Sequence, residues 1–175
     1  MKMCSSTVQT KTVQIIFTFI CLVVAAAAQE LVPSFCGTKA PFLVIFALYT
    51  AFQPGRNWMV TSLAAGAFED ALNVSPTPCC TFFTLFAAMG AHFLRPFVQK
   101  LAPAAVGACL AAAAAPIHEL WLMTWDILPP NCPLLVRFFA SILPAATVGA
   151  LVFAVLPAAE RVAGLSLPAP ERRPV

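Results

Sequence analysis

Few residue combinations in this sequence have the types and spacing that chemistry requires. His118-Glu119 matches the first half of a zinc-protease motif, in which a second histidine follows four positions after the first. Position 122 is Leu, so the motif is not formed. Glycine-rich phosphate loops and the Gly-x-Ser-x-Gly nucleophile motif are also absent from the sequence. We therefore expect a protein that is not an enzyme and that has no metal or cofactor.

The acidic residues that adjoin apolar stretches require an explanation, because charged groups in such places are energetically costly. Glu69 and Asp70 end one such stretch. Two interpretations stay open: the pair marks a water interface, or it forms a polar outer rim that contacts a partner. Arg137 offers a similar choice, since its side chain can extend to water or pair with Glu119 or Asp126.

The composition indicates the class of protein, and so the kind of elements, in which these residues lie. Of 175 residues, 61% are hydrophobic and only 10% are charged, whereas a soluble domain has about 25% charged residues. The formal net charge is +3, which is too small for a phosphate-binding surface, so nucleic acid is not an expected partner. The remaining class is an all-α integral membrane protein that lies in the lipid bilayer.

Six apolar segments predict a bundle of about six transmembrane helices in one domain, 1–159. The segments are 13–28, 41–52, 58–72, 79–94, 101–121 and 134–156. The second and third are shorter than the roughly 20 residues that a spanning helix needs, so a re-entrant pair is the alternative for them. The proline-rich, charged segment 160–175 is predicted to be a disordered cytoplasmic tail.

Charge placement predicts the orientation, because cytoplasmic loops are rich in Lys and Arg. Six crossings that start inside place eight of the ten basic residues on the inner side, and both termini are then cytoplasmic. These residues are Lys2, Lys11, Arg56, Arg95, Lys100, Arg161, Arg172 and Arg173. An alternative for residues 1–28 is a cleaved signal peptide, since the small residues Ala26, Ala27 and Ala28 directly precede Gln29.

Cysteines and small residues supply further candidate positions. Cys36 and Cys132 fall on the predicted outer side, where a disulfide between them would join the first and last outer loops. The alternative is that cysteine serves as a small apolar side chain. Small residues at four-residue spacing let helices approach closely, either within the chain or against a partner. They are Ser62 and Gly66 on the third segment, and Ser141, Ala145 and Gly149 on the sixth.

The order of these features resembles the MreD family of bacterial rod-shape-determining membrane proteins. In that family the third span carries a glycine and an acid four residues later, which Gly66 and Asp70 match. A proline-opened second segment, a short basic turn after it and a last segment with a mid-span proline also match. The turn after Asp70 differs, because it lacks the family's glycine.

The resemblance implies a non-enzymatic scaffold in the bacterial inner (cytoplasmic) membrane. Proteins of this family work with the membrane protein MreC, with elongation-specific peptidoglycan synthases and, indirectly, with the MreB filament system. Glu69, Asp70 and the small-residue faces are then the expected partner or packing positions.

A second interpretation is the substrate-binding S component of an energy-coupling-factor vitamin transporter, which has a similar size and six spans. Its ligand pocket would open outward, where the sequence places Glu119, Trp121, Trp125 and Asp126. A polar pocket inside the bundle would favour this alternative.

Overall fold

A computed structural model of the protein describes residues 3–32, 34, 38–54, 56–74, 77–98, 100–125 and 133–165. Within these ranges the regular secondary structure is all-helical, which confirms the all-α part of the predicted fold class. The helices are α1 (Met3–Leu31), α2 (Phe42–Phe52), α3 (Trp58–Leu72), α4 (Cys79–Val98), α5 (Pro103–Thr124) and α6 (Leu134–Val162).

Four helices of the described part are long and apolar enough to cross a membrane. They are the stretches Thr12–Leu31, Cys79–Val98, Pro103–Thr124 and Leu135–Val162. In contrast, α2 has 11 residues and α3 has 15. At about 1.5 Å per residue these two helices are roughly 16 Å and 22 Å long, which is less than the roughly 30 Å of a bilayer's hydrocarbon core.

The short helix α2 forms the centre of the bundle and contacts all five other helices. Nine of its eleven residues, 43–51, are buried. Its sequence is apolar on every side except for Tyr49 and Thr50, as expected for a helix without a solvent-facing stripe. The short length of α2 therefore fits a helix that is enclosed by the other helices.

Consecutive helices alternate in direction between two polar clusters. Gln29 of α1, Glu69 of α3 and His118 of α5 meet at one end, which we call the Glu69 end. Tyr49 of α2 and Glu160 of α6 meet at the other, the Glu160 end. The helix α4 starts beside the end of α3, and α1 begins on the same side as α6 ends.

Two glycines bring α5 and α6 together. A Cβ atom on Gly107 would overlap the carbonyl oxygen of Gly149, and a Cβ atom on Gly149 would overlap that of Gly107. Any larger residue at either position would separate the two backbones. Both glycines are therefore explained by the close approach of two long helices.

Four helices extend beyond their predicted ends, namely α1 to Leu31, α4 to Val98, α5 to Thr124 and α6 to Val162. The helix α4 continues past Leu94 through Pro96 to Val98, since a proline in the last turn removes few helical hydrogen bonds. The helix α6 continues past Leu156 and through Pro157 to Val162. The predicted tail therefore begins as helix at 160–162, and residues 166–175 lie outside the described residues.

Candidate functional site

A close contact between α3 and α4 at the Glu69 end depends on Gly66. A Cβ atom on Gly66 would overlap the Cα atom of Thr81 and lie 2.9 Å from its backbone nitrogen. Because both neighbours are backbone atoms, no side-chain rotation could make room. Gly66 thus lets α3 lie directly against the first turn of α4.

Asp70 lies one helical turn after Gly66 and binds the same first turn of α4. Its Oδ1 accepts a hydrogen bond of 2.8 Å from the Cys80 backbone N–H. Its Oδ2 accepts bonds of 3.0 Å from the Thr81 N–H and 2.6 Å from the Thr81 hydroxyl. These N–H groups have no partner within their own helix, so Asp70 acts as an N-terminal cap supplied by the neighbouring helix.

Substitution of Asp70 by alanine should lower the free energy of unfolding by about 2 kcal/mol, because helix caps contribute roughly 0.5–2 kcal/mol. For a chain of this size we expect the thermal midpoint to fall by about 4–8 °C, measured by circular dichroism in mild detergent. Asp70→Asn is the matched control, since it keeps one acceptor and should lose less. An unchanged midpoint for Asp70→Ala would show that the cap does not stabilise the fold.

Glu69 points into the protein, so it does not belong to the exposed outer rim that the sequence offered as one interpretation. Its exposed fraction is only 1%. Glu69 Oε1 accepts a hydrogen bond of 3.2 Å from Gln29 Nε2 and lies 3.2 Å from His118 Nε2. Adjacent residues of a helix point about 100° apart, so Glu69 faces α1 and α5 while Asp70 faces α4.

The side chains of Glu119 and Arg137 are also buried at this end, with exposed fractions of 7% and 3%. They line a cavity of about 10 Å³ between α5 and α6, which is the space of roughly one water molecule. Arg137 is thus an interior residue rather than one that extends to water.

Trp121 lies in α5, and Trp125 directly follows the end of this helix. Trp121 donates a hydrogen bond of 2.9 Å from its indole N–H to the carbonyl oxygen of Cys79, and thereby joins α5 to α4. The ring of Trp125 lies 6.1 Å from that of Trp121 and is half exposed. Asp126 lies outside the described residues.

The other predicted small-residue positions are buried in helix contacts of the chain itself. Ser62 and Ser141 donate hydrogen bonds to the carbonyl oxygens of Trp58 and Phe138, at 2.7 Å and 2.9 Å. Ala145 is 0% exposed and belongs to a core cluster between α2, α5 and α6, and Gly149 contacts Gly107 as described above. The structure places these residues in packing positions.

The predicted disulfide partners, Cys36 and Cys132, lie outside the described residues. Two other cysteines are more informative, because Cys79 and Cys80 are buried beside the acids of α3. Ligand atoms of Glu69, Cys80 and His118 all lie within 4.8 Å of one another. Sequence reasoning missed this grouping, since its members are 11 and 38 positions apart on three helices.

The Glu160 end contains a second polar cluster, which the sequence analysis also missed. Arg56 Nη2 lies 2.9 Å from Glu160 Oε1, and the Tyr49 hydroxyl donates a hydrogen bond of 2.6 Å to the same oxygen. The side chains of Arg56 and Glu160 are 5% and 11% exposed. Tyr49 is the only tyrosine of the chain, and a tyrosine in a buried apolar helix signals a hydrogen-bond partner elsewhere.

The long apolar helices of this fold indicate a membrane protein. Comparisons with protein-family models, curated proteins and solved structures find no match to this chain.

Proposed function

We propose that this protein is a non-enzymatic scaffold of the bacterial cell-elongation machinery, which helps to organise lateral peptidoglycan synthesis from the inner membrane. The observation that carries the proposal is that Gly66 and Asp70 both shape the contact between α3 and the first turn of α4. The glycine lets α4 approach α3, and the acid one turn later caps α4. This gives a physical reason for the glycine–acid spacing on which the resemblance to the MreD family rests.

The distribution of polar groups supports a scaffold that offers apolar surfaces to its partners. Gln29, Glu69 and Glu160 point inward, whereas the long helices expose large apolar side chains. Examples are Ile15 and Phe19 on α1, Phe86 and Phe93 on α4, and Phe139 and Leu143 on α6. In a bilayer such faces contact lipid or the spanning helix of an MreC-like protein, with packing as the source of affinity.

The charge pattern sets the proposed orientation. The Glu160 end, where α1 begins and α6 ends, faces the cytoplasm, in keeping with the positive-inside rule. Arg56, Arg95 and Arg161 lie at or near this end. The Glu69 end then faces outward, toward the extracytoplasmic part of an MreC-like protein and the elongation-specific synthases.

The cavities favour the scaffold over the vitamin-transporter S component. A small-molecule pocket has a volume of about 300–1,000 Å³, but the cavity beside Glu119 measures about 10 Å³. A larger cavity, about 290 Å³, is lined by Arg95, Phe153 and mostly apolar neighbours. It opens at the Glu160 end, which is the proposed cytoplasmic side and therefore the wrong side for an externally supplied vitamin.

The test is an affinity purification of the tagged protein from mild-detergent membranes of its native host, analysed by mass spectrometry. We expect an MreC-like protein and elongation-specific wall synthases among the recovered proteins. Recovery of a transporter's ATPase and coupling subunits in their place would contradict the scaffold role.

Paired variants can then locate the partner face, since exposed side chains can be changed without disturbing the core. Phe86→Ala with Phe93→Ala alters α4, and Phe139→Ala with Leu143→Ala alters α6. We expect one pair to reduce the recovered MreC-like protein about fivefold or more, which corresponds to roughly 1 kcal/mol. The other pair is its control, and both must keep the wild-type thermal midpoint. If both pairs recover as much MreC-like protein as the wild type does, neither of these two faces binds the partner.

A further inference from the structure

Three side chains of different chemistry converge at the Glu69 end from three separate helices. A carboxylate oxygen of Glu69, the sulfur of Cys80 and a ring nitrogen of His118 all lie within 4.8 Å of one another. Their exposed fractions are 1%, 0% and 4%. Such a set, drawn from α3, α4 and α5, is held in place by the packing of the bundle.

Two atoms of this group have no hydrogen-bond partner among the described residues. They are Glu69 Oε2 and His118 Nε2. The latter lies 3.2 Å from Glu69 Oε1, but the geometry is not that of a hydrogen bond. A buried polar atom without a partner costs about 1–3 kcal/mol, so two such atoms on neighbouring side chains favour a ligand at this place.

We propose that Glu69, Cys80 and His118 form a binding site for a zinc ion. Thiolate, imidazole and carboxylate together are typical zinc ligands, whereas calcium and magnesium prefer oxygen alone. Bond lengths of about 2.0–2.3 Å in a tetrahedron place ligand atoms roughly 3.5 Å apart. The fourth position stays open for water or another donor.

The neighbouring residues support these ligands. Gln29 donates a hydrogen bond of 3.2 Å to Glu69 Oε1 and accepts one of 3.3 Å from the Leu43 backbone N–H. Gln29 thus holds Glu69 by Oε1 and leaves Oε2 for the metal. Outer partners of metal ligands commonly orient the ligand in this way. The ring of Phe83 lies 4.9 Å from the His118 ring and restricts its rotation.

Asp70 and Cys79 adjoin the site without belonging to it. Both oxygens of Asp70 accept hydrogen bonds from the first turn of α4. Asp70 is also partly exposed, and its carboxylate lies within 4.8 Å of the sulfurs of Cys79 and Cys80.

The experiment measures zinc binding by the full-length protein, purified in detergent with a tag that contains no histidine. After removal of bound metal with a chelator, zinc is added back and counted per chain by elemental analysis. Cobalt in place of zinc reports thiolate coordination through its absorption spectrum. We expect one zinc per chain and a cobalt–thiolate band.

Single substitutions identify the ligands. Cys80→Ser and His118→Gln should each weaken zinc binding at least tenfold, because even the loss of an outer partner of a metal ligand costs about 10–100-fold in affinity. Cys79→Ser is the matched control and should bind as the wild type does, because its sulfur belongs to the neighbouring group. If Cys79→Ser weakens binding as much as Cys80→Ser, the assignment of Cys80 is wrong.

A readout on the wild-type protein alone covers the case in which a variant does not fold. Zinc that binds only the folded state raises the thermal midpoint, and magnesium at the same concentration should not. A wild-type protein that takes up no zinc and shows no rise in midpoint would overturn the proposal. The proposal does not depend on the scaffold role, so either can fail without the other.

Discussion

Replacement of Gly66 by alanine is expected to lower the free energy of unfolding by about 3 kcal/mol, the upper part of the range for overpacking. The added methyl group would overlap the Thr81 backbone, so α3 and α4 must separate. That separation would also lengthen the hydrogen bonds from α4 to Asp70. The loss should appear despite the roughly 1 kcal/mol by which alanine favours a helix over glycine.

Gly90→Ala is the matched control for this prediction. Gly90 lies in the middle of α4 and has nothing within 4 Å of the position of an added Cβ atom. The substitution should therefore leave stability unchanged or raise it by up to about 1 kcal/mol. Thermal unfolding followed by circular dichroism in the same detergent compares the two variants. Equal midpoints would show that α3 and α4 are not in close contact at Gly66.

The contact between α3 and the first turn of α4 could be predicted from the sequence only in part. The four-residue spacing of Gly66 and Asp70 places both on one face of a helix, and this face does meet a neighbour. The identity of the neighbour was not predictable, because the contact is with backbone atoms of Cys80 and Thr81, which carry no pattern of their own. The family resemblance leaves partner binding and packing open for these residues, and the structure shows them in an internal contact.

Glu69 illustrates a different limit. Hydropathy treats Glu69 and Asp70 alike, since both are acids at the end of an apolar segment. Helix geometry predicts that they point in different directions, but the sequence does not say which one faces the core. Gln29 and His118, the polar groups that surround Glu69, are distant in sequence and had been assigned to unrelated features.

Helix ends follow from the sequence only where a strong local signal is present. The helix α2 ends at Phe52 as expected, because a Gln-Pro-Gly turn follows. The helix α6 extends past the predicted end at Leu156 and into the segment 160–175, whose proline-rich, charged composition predicts a tail. Its last turn is held by the tertiary contact of Glu160 with Arg56, and no local signal reports a contact across 104 positions.

Removal of one partner from the Arg56–Glu160 pair should cost about 3–5 kcal/mol, because it leaves a buried charge without its counter-charge. For Glu160→Leu we expect the thermal midpoint to fall by roughly 6–20 °C. The Tyr49 hydroxyl also loses its acceptor in this variant. Circular dichroism in detergent measures the effect.

Two comparisons separate the buried charge from other causes. The triple variant Tyr49→Phe, Arg56→Met, Glu160→Leu removes all three polar groups together and should recover most of the lost stability, since well-packed apolar residues can replace a buried ion pair. Glu30→Ala removes one partner of the exposed pair between Lys39 and Glu30, 3.0 Å apart, and should cost less than about 1 kcal/mol. If Glu160→Leu costs no more than Glu30→Ala, the end of α6 is not anchored by this pair. Recovery in the triple variant would instead show that the three groups act as one unit, which joins α2, the turn after it and the last turn of α6.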